Sequence, residues 1–240
     1  MRGLGTIANV AAIILAGLLG LLLKKGIKER FQEILTQVMG LCVIFIGISG
    51  ALTGLIAAEG KSIITSSGSM RLIASLLIGA LAGELINIEG LFEKFGAWLK
   101  EKTKSRDDKG FIDGFVTASL TVCIGAMAIV GSIEDGVSGN AATLYTKAIL
   151  DFVIILVFAS LYGKGVVFSA IPVGILQGSI TLCAVLIAPY LTEAMINGIS
   201  FVGSVLIFCV GINLCFGKKF RVANMLPSLL VIAAINYFLQ

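Results

Sequence analysis

Eight apolar runs punctuate the 240-residue chain, at about 3–23, 38–58, 71–88, 111–133, 144–163, 166–190, 194–216 and 222–239. A helix of roughly 18 or more apolar residues is long enough to cross the hydrocarbon core of a bilayer. The pattern therefore predicts an all-α fold, a polytopic transmembrane helical bundle of about eight spans, or seven if one is re-entrant. It also predicts one integral membrane domain over 1–240. In the first run the positive residues Lys24, Lys25, Lys28 and Arg30 follow the apolar stretch, and no small-residue cleavage pattern is visible. That arrangement reads as a span rather than a signal peptide.

Two segments between the runs have helical amphipathicity. Ile27, Phe31, Ile34 and Leu35 share one face, and so do Leu91, Phe95, Trp98 and Leu99. Such helices suit the membrane interface on the cytoplasmic side. They also line up with each other: Gly26–Leu35 matches Gly90–Leu99, and 40–52 then matches 121–133, setting Cys42 on Cys123 and Gly50 on Gly131. The alignment predicts an internal repeat with units of about 5–56 and 67–133, followed by C-terminal spans over 144–239.

Three places interrupt the apolar pattern. The 63–69 link is polar and contains Gly68. Span 6 carries Pro172, Gly174, the polar set Gln177 to Thr181, and Pro189. Proline removes a backbone donor, so span 6 is expected to be a broken helix or a kinked one. The third is the stretch around which the chain is organised, Gly110 to Asp151. There a hydroxyl-bearing apolar run leads to a glycine-containing break at 134–140, and the next run holds Lys147 and Asp151.

Composition narrows the class. The chain is 58% hydrophobic and 13% charged, with a mean hydropathy of +1.04, outside the range of soluble domains. Fourteen of the 18 lysines and arginines fall in loops after spans 1, 3, 5 and 7. By the positive-inside rule these loops are cytoplasmic and both termini extracytoplasmic. The chain has no histidine, and its five cysteines lack C-x-x-C spacing, so metal sites and cofactors are not expected. Without a nucleotide-binding glycine motif, a nucleophile elbow or a paired acidic motif, the chain is not expected to be an enzyme or an ATP-driven pump.

An ionisable group within a span costs about 3 kcal/mol or more, so each one is a candidate site. Lys147 and Asp151 are four residues apart and share a helix face, where they neutralise each other. Glu84 follows Gly79-x-x-x-Gly83. Hydroxyl and amide groups cluster at Thr117, Ser119 and Thr121 in span 4 and at Gln177, Ser179 and Thr181 in span 6. These nine residues are the expected substrate- or ion-binding set. Asn9, Asn213 and Asn236 are expected to hydrogen-bond between helices.

Several of these stretches resemble one bacterial family. Gly5-Thr-Ile-Ala-Asn9, Gly83-Glu84, Ile88-Glu89-Gly90, the blocks 114–119 and 125–132, Lys147 with Leu150-Asp151, Gln177-Gly-Ser179 and Asn224-Met-Leu-Pro227 are similar to the YdfK/YqgA-type integral membrane proteins. The resemblance implies a multi-pass protein of the bacterial inner membrane, in a family often labelled as transporters but with no assigned ligand or catalytic residues. With the polar clusters, it leads to the expectation of a secondary transporter of a small polar solute or ion, its site lined by spans 4, 5 and 6. The alternatives are a channel or a non-transporting membrane scaffold. The expected partners are the lipid bilayer and the solute or ion, with homo-oligomerisation and no nucleic acid.

Overall fold

In a computed structural model, the structure describes residues 2–24, 29–59, 63–66, 68–105, 108–124 and 126–238. The elements in chain order are α1 (Leu4–Lys24), α2 (Glu29–Leu55), β1 (Ile56–Glu59), β2 (Ile63–Ser66), α3 (Ser69–Ile86), α4 (Ile88–Lys102), α5 (Phe111–Cys123), α6 (Ala126–Ser138), α7 (Ala142–Tyr162), α8 (Ala170–Ile187), α9 (Glu193–Phe216), α10 (Val222–Met225) and α11 (Ser228–Phe238). Short 3-10 helices, Lys164–Ser169 and Ala188–Tyr190, flank α8. The protein is a helical membrane bundle with one small antiparallel ribbon, β1–β2, in register Ile56↔Ser66 to Glu59↔Ile63.

Each of the eight expected spans has a counterpart. Six helical stretches are long and apolar enough to cross a membrane, a seventh span is the α5–α6 pair bent by 61°, and 222–238 is a shorter apolar helical stretch. Three local expectations are corrected. The break is in span 4, between α5 and α6, and not in span 6: α8 runs unbroken through Pro172 and Gly174. Pro172 is the third residue of α8, within the first turn, where backbone N–H groups have no intrahelical acceptor and a missing donor costs nothing. Second, α6 continues through 134–138, and the chain leaves the helix only at Gly139, whose φ is +73°. Third, the first amphipathic segment is no separate helix from Glu29 onward, because that residue already opens the 27-residue α2; Gly26 to Lys28 lie outside the described residues. The second segment does form its own helix, α4. It is divided from α3 by Asn87 in the left-handed conformation at φ 55°, which an asparagine tolerates at a helix C-cap.

The chain divides into two compact units. Unit 1 comprises Met1–Thr36, Gly90–Cys123 and Met127–Tyr190. In it α1 lies along α7: an added Cβ on Gly5 would meet Leu144, and one on Gly20 would meet Leu156 and Ala159. The pairs advance together, so these helices run parallel. Thr6 and Asn9 of α1 bond Thr181 and Gln177 of α8, so that pair is antiparallel. An aromatic core of Leu99, Phe111 and Phe115, packed by Phe92, Ile112, Val116 and Phe168, ties α4 to α5 and the first 3-10 helix.

Unit 2 comprises Gln37–Glu89, Ile124–Ala126 and Leu191–Gln240. Glycines set its close approaches: Gly40, Gly47 and Gly50 of α2 face Cys215, Phe208 and Ser204 of α9, and Gly79 and Gly83 of α3 face Ser228 and Asn224. Backbones this close are the usual means of helix association in lipid. Both pairs run antiparallel. Large apolar side chains remain on the outside in each unit, among them Leu182 in unit 1 and Leu85 in unit 2. Such chains belong against lipid tails.

Candidate functional site

In unit 1, α5 ends at Cys123, so the carbonyl of Val122 is in its last turn and has no donor within the helix. Lys147, one turn into α7, supplies that donor: its Nζ lies 2.8 Å from the Val122 oxygen. The same ammonium donates to Asp151 Oδ2 at 2.5 Å. The residues are 6% and 4% exposed, so this is a dry ion pair whose cation also offsets the negative end of a helix.

The chain of bonds continues into α1 and α8. Asn9 Nδ2 donates to Asp151 Oδ2 at 3.0 Å and to Gln177 Oε1 at 3.3 Å. Both amides are essentially inaccessible to solvent. A carboxylate only accepts, so Asn9 must present its NH2 group to Asp151, and Gln177 must then present its oxygen to Asn9. One acceptor, Asn9 Oδ1, and one donor, Gln177 Nε2, are left without partners, as is the buried hydroxyl of Ser119. Ser119 is three residues before Val122 and shares its face of α5. Each such orphan costs about 1–3 kcal/mol in a protein interior. A site that is charged, buried and incompletely bonded is built to receive something polar.

Two more contacts fix the frame. The carboxylate of Asp135, fully buried on α6, accepts from the amides of Gly3 and Gly5 at 3.0 Å each, capping the N-terminus of α1. Glu134 accepts from Thr143 Oγ1 at 2.7 Å, one turn before Lys147 on α7. The N-terminal turns of α1 and α7 are thus both anchored to α6.

The structure gathers Lys147, Asp151 and Gln177, three of the nine expected residues, into one network, and places others elsewhere. Thr181 meets Thr6 at 3.2 Å, one turn beyond Gln177. Thr121 turns its hydroxyl to the carbonyl of Thr117. Ser179 is exposed, donates to the Leu176 carbonyl, and lines an apolar cavity of about 450 Å3 with Phe92, Phe95, Phe115, Ile171 and Ile175. Glu84 is in unit 2, where it accepts from Arg221 and from Asn224 Nδ2 at 2.6 Å. Asn9, expected only as an interhelical link, joins the two halves of the network. Its sequence signal is an amide alone in a long apolar run. Asp135 gave no separate signal because the 134–140 stretch reads as a loop.

Unit 2 has a smaller polar recess. A cavity of about 280 Å3 is lined by Arg71, Asn197 and Asn236, among others, and Arg71 donates to Asn236 Oδ1 at 3.0 Å. Asn236 in turn donates to the Ala194 carbonyl at 2.7 Å. Among the described residues no three cysteine, aspartate or glutamate side chains stand together to hold a metal ion.

Comparison with known proteins supports the membrane reading without adding a role for these residues. The chain is 36% identical over 227 residues to the uncharacterized membrane protein YdfK of Bacillus subtilis (strain 168), covering 95% of this chain and 93% of that one. It is 29% identical over 232 residues to the uncharacterized protein YqgA of Escherichia coli (strain K12), covering 95% and 94%. No solved structure matches it. The family model described as "Protein of unknown function (DUF554)" matches residues 4–237; the chain is a multi-pass membrane protein of the DUF554 family.

Proposed function

We propose that the protein is a secondary transporter that moves a small polar solute or ion through the polar site of unit 1. The observation that carries this reading is the Lys147–Asp151–Asn9–Gln177 chain at the end of a broken helix. Purely structural anchoring in lipid gains nothing from a desolvated ion pair, which breaks even at best against apolar packing. Discontinuous helices whose freed carbonyls face charged side chains are a recurring way to hold ions and polar groups at membrane depth. The orphan acceptor and donor of Asn9 and Gln177 supply the unmet bonding that a ligand would complete.

The proposal carries with it the bacterial inner membrane and extracytoplasmic termini. The lysine and arginine bias supports the second, and the parallel run of α1 and α7 agrees with it. Helices four crossings apart point the same way when α2, α3 and the α5–α6 pair each cross once. Purified protein in liposomes tests the reading. Flux of amino acids, carboxylates or inorganic ions above that of empty liposomes, reduced in Asp151→Asn, supports transport. Currents at channel rates would favour a pore, and no flux across the panel would favour a scaffold.

A further inference from the structure

The ammonium of Lys147 sits where an inorganic cation would sit. Its partners are oxygens from two separate helices, the backbone carbonyl of Val122 at 2.8 Å and the carboxylate of Asp151 at 2.5 Å. Carbonyl and carboxylate oxygens are the donors that hard cations take, and a carbonyl at the end of a broken helix is a common ion ligand in membranes.

The two orphan atoms give a second, independent observation. Asn9 Oδ1 and Gln177 Nε2 are an acceptor and a donor on amides already 3.3 Å apart through their other atoms. If both amides turned over, Gln177 Nε2 would donate to Asn9 Oδ1 and the two orphans would satisfy each other. The turned Asn9 would then present oxygen toward Asp151, which only a cation between them makes favourable. The network thus has two hydrogen-bond polarities, and the one observed is dictated by a lysine whose charge is tethered.

We propose that Val122, Asp151 and Asn9 form a seat for a small monovalent cation, which Lys147 fills and which the cation takes when Lys147 releases its proton. The proposal deepens the transport reading of the same site. Charge balances at each end of the exchange. With Lys147 as ammonium and Asp151 ionised the seat is neutral. With Lys147 as neutral amine and the cation on Asp151 it is neutral again, and one proton has left for each cation bound. Either state avoids an uncompensated charge, the expensive condition in a dry interior. Near the pair, the other titratable groups on α7 and the elements packed on it are Cys123 of α5, Glu134 and Asp135 of α6, and Tyr145 of α7. Glu134 bonds Thr143 and Asp135 bonds the Gly3 and Gly5 amides. Tyr162, Asp113 and Lys164 are at the far end of α7, about four turns away. Among the described residues Lys147 bonds only Val122 and Asp151, so its proton is the one in competition with the cation.

The test is thermal stability of the full-length protein in detergent at constant ionic strength. Sodium, lithium, potassium and methylammonium are each compared with the bulky cation N-methylglucamine, at neutral and at alkaline pH. A ligand for the folded state raises its melting temperature by mass action. The wild type is expected to gain about 3 °C or more from one of the small cations, with the gain growing as pH rises. Lys147→Met is expected to show that gain already at neutral pH and without pH dependence. Lys147→Arg is expected to show none at any pH, because its guanidinium fills the seat and keeps its proton. A response confined to methylammonium assigns the seat to an amine substrate, and one to alkali ions assigns it to a coupling ion. A wild type that responds to no small cation at alkaline pH overturns the proposal, as does a Lys147→Arg variant that responds like wild type. Both results stand even if Lys147→Met does not fold. The readout needs no flux, so a flat cation response beside retained solute transport removes the seat and spares the transport reading.

Discussion

Lys147 reaches from the second turn of α7 to the carbonyl oxygen of Val122 in the last turn of α5, at 2.8 Å. That bond links a helix end inside the bundle to the one cation among the described residues that is both buried and paired within a span. It gives the α5–α6 break a physical cause for persisting, since the freed carbonyl is bonded rather than exposed to hydrocarbon.

Removing either charge of the pair leaves the other buried alone. Lys147→Met in a buffer free of small cations should lose about 3–5 kcal/mol of stability. The double variant Lys147→Met with Asp151→Leu should recover most of it. Denaturation in detergent, run as a double-mutant cycle, reads the coupling; equal losses in the single and double variants would refute it.

Asn9 is predicted to matter more than its single amide suggests, because it holds both Asp151 and Gln177. Asn9→Leu should destabilise by about 1–3 kcal/mol through the acceptors it strands, and should depress flux with it. Thermal melting and liposome flux of the same preparation check both parts.

The cap on α1 predicts a local effect. Asp135→Ala removes the acceptor for two amides at the N-terminus of α1 and should cost about 1–2 kcal/mol. Hydrogen exchange should quicken first at the Gly3 and Gly5 amides, before the middle of α1 is affected.

Two glycine pairs that look alike in sequence are predicted to behave differently. An added Cβ at Gly83 would run into the backbone of Asn224, whereas one at Gly178 meets nothing within 4 Å. Gly83→Ala should therefore lower the melting temperature. Gly178→Ala should leave it unchanged or raise it slightly, since alanine is favoured over glycine in a helix by about 1 kcal/mol.

The contrast shows what the chain discloses by itself. Hydropathy marks all eight apolar segments because span length is a one-dimensional property. The spacing of Lys147 and Asp151 shows a shared face for the same reason. Long-range partners are not legible that way. Gln177 is 168 positions from the Asn9 it accepts from, and no period relates them. Pro172 misleads because a proline reads as a breaker wherever it stands, while in the first turn it is harmless. The true break, after Cys123, carries only small and apolar residues, and its distinguishing mark is a lysine on another helix.

The most direct test of the transport account is flux through Asp151. Wild type, Asp151→Asn and Asp151→Glu, each shown to fold by its melting curve, are reconstituted in liposomes and assayed with the panel of small solutes and ions. Flux by the wild type, abolished in Asp151→Asn and partly restored in Asp151→Glu, is the predicted result. Flux by Asp151→Asn equal to wild type, or no flux by any of the three, would contradict the assignment of this site to transport.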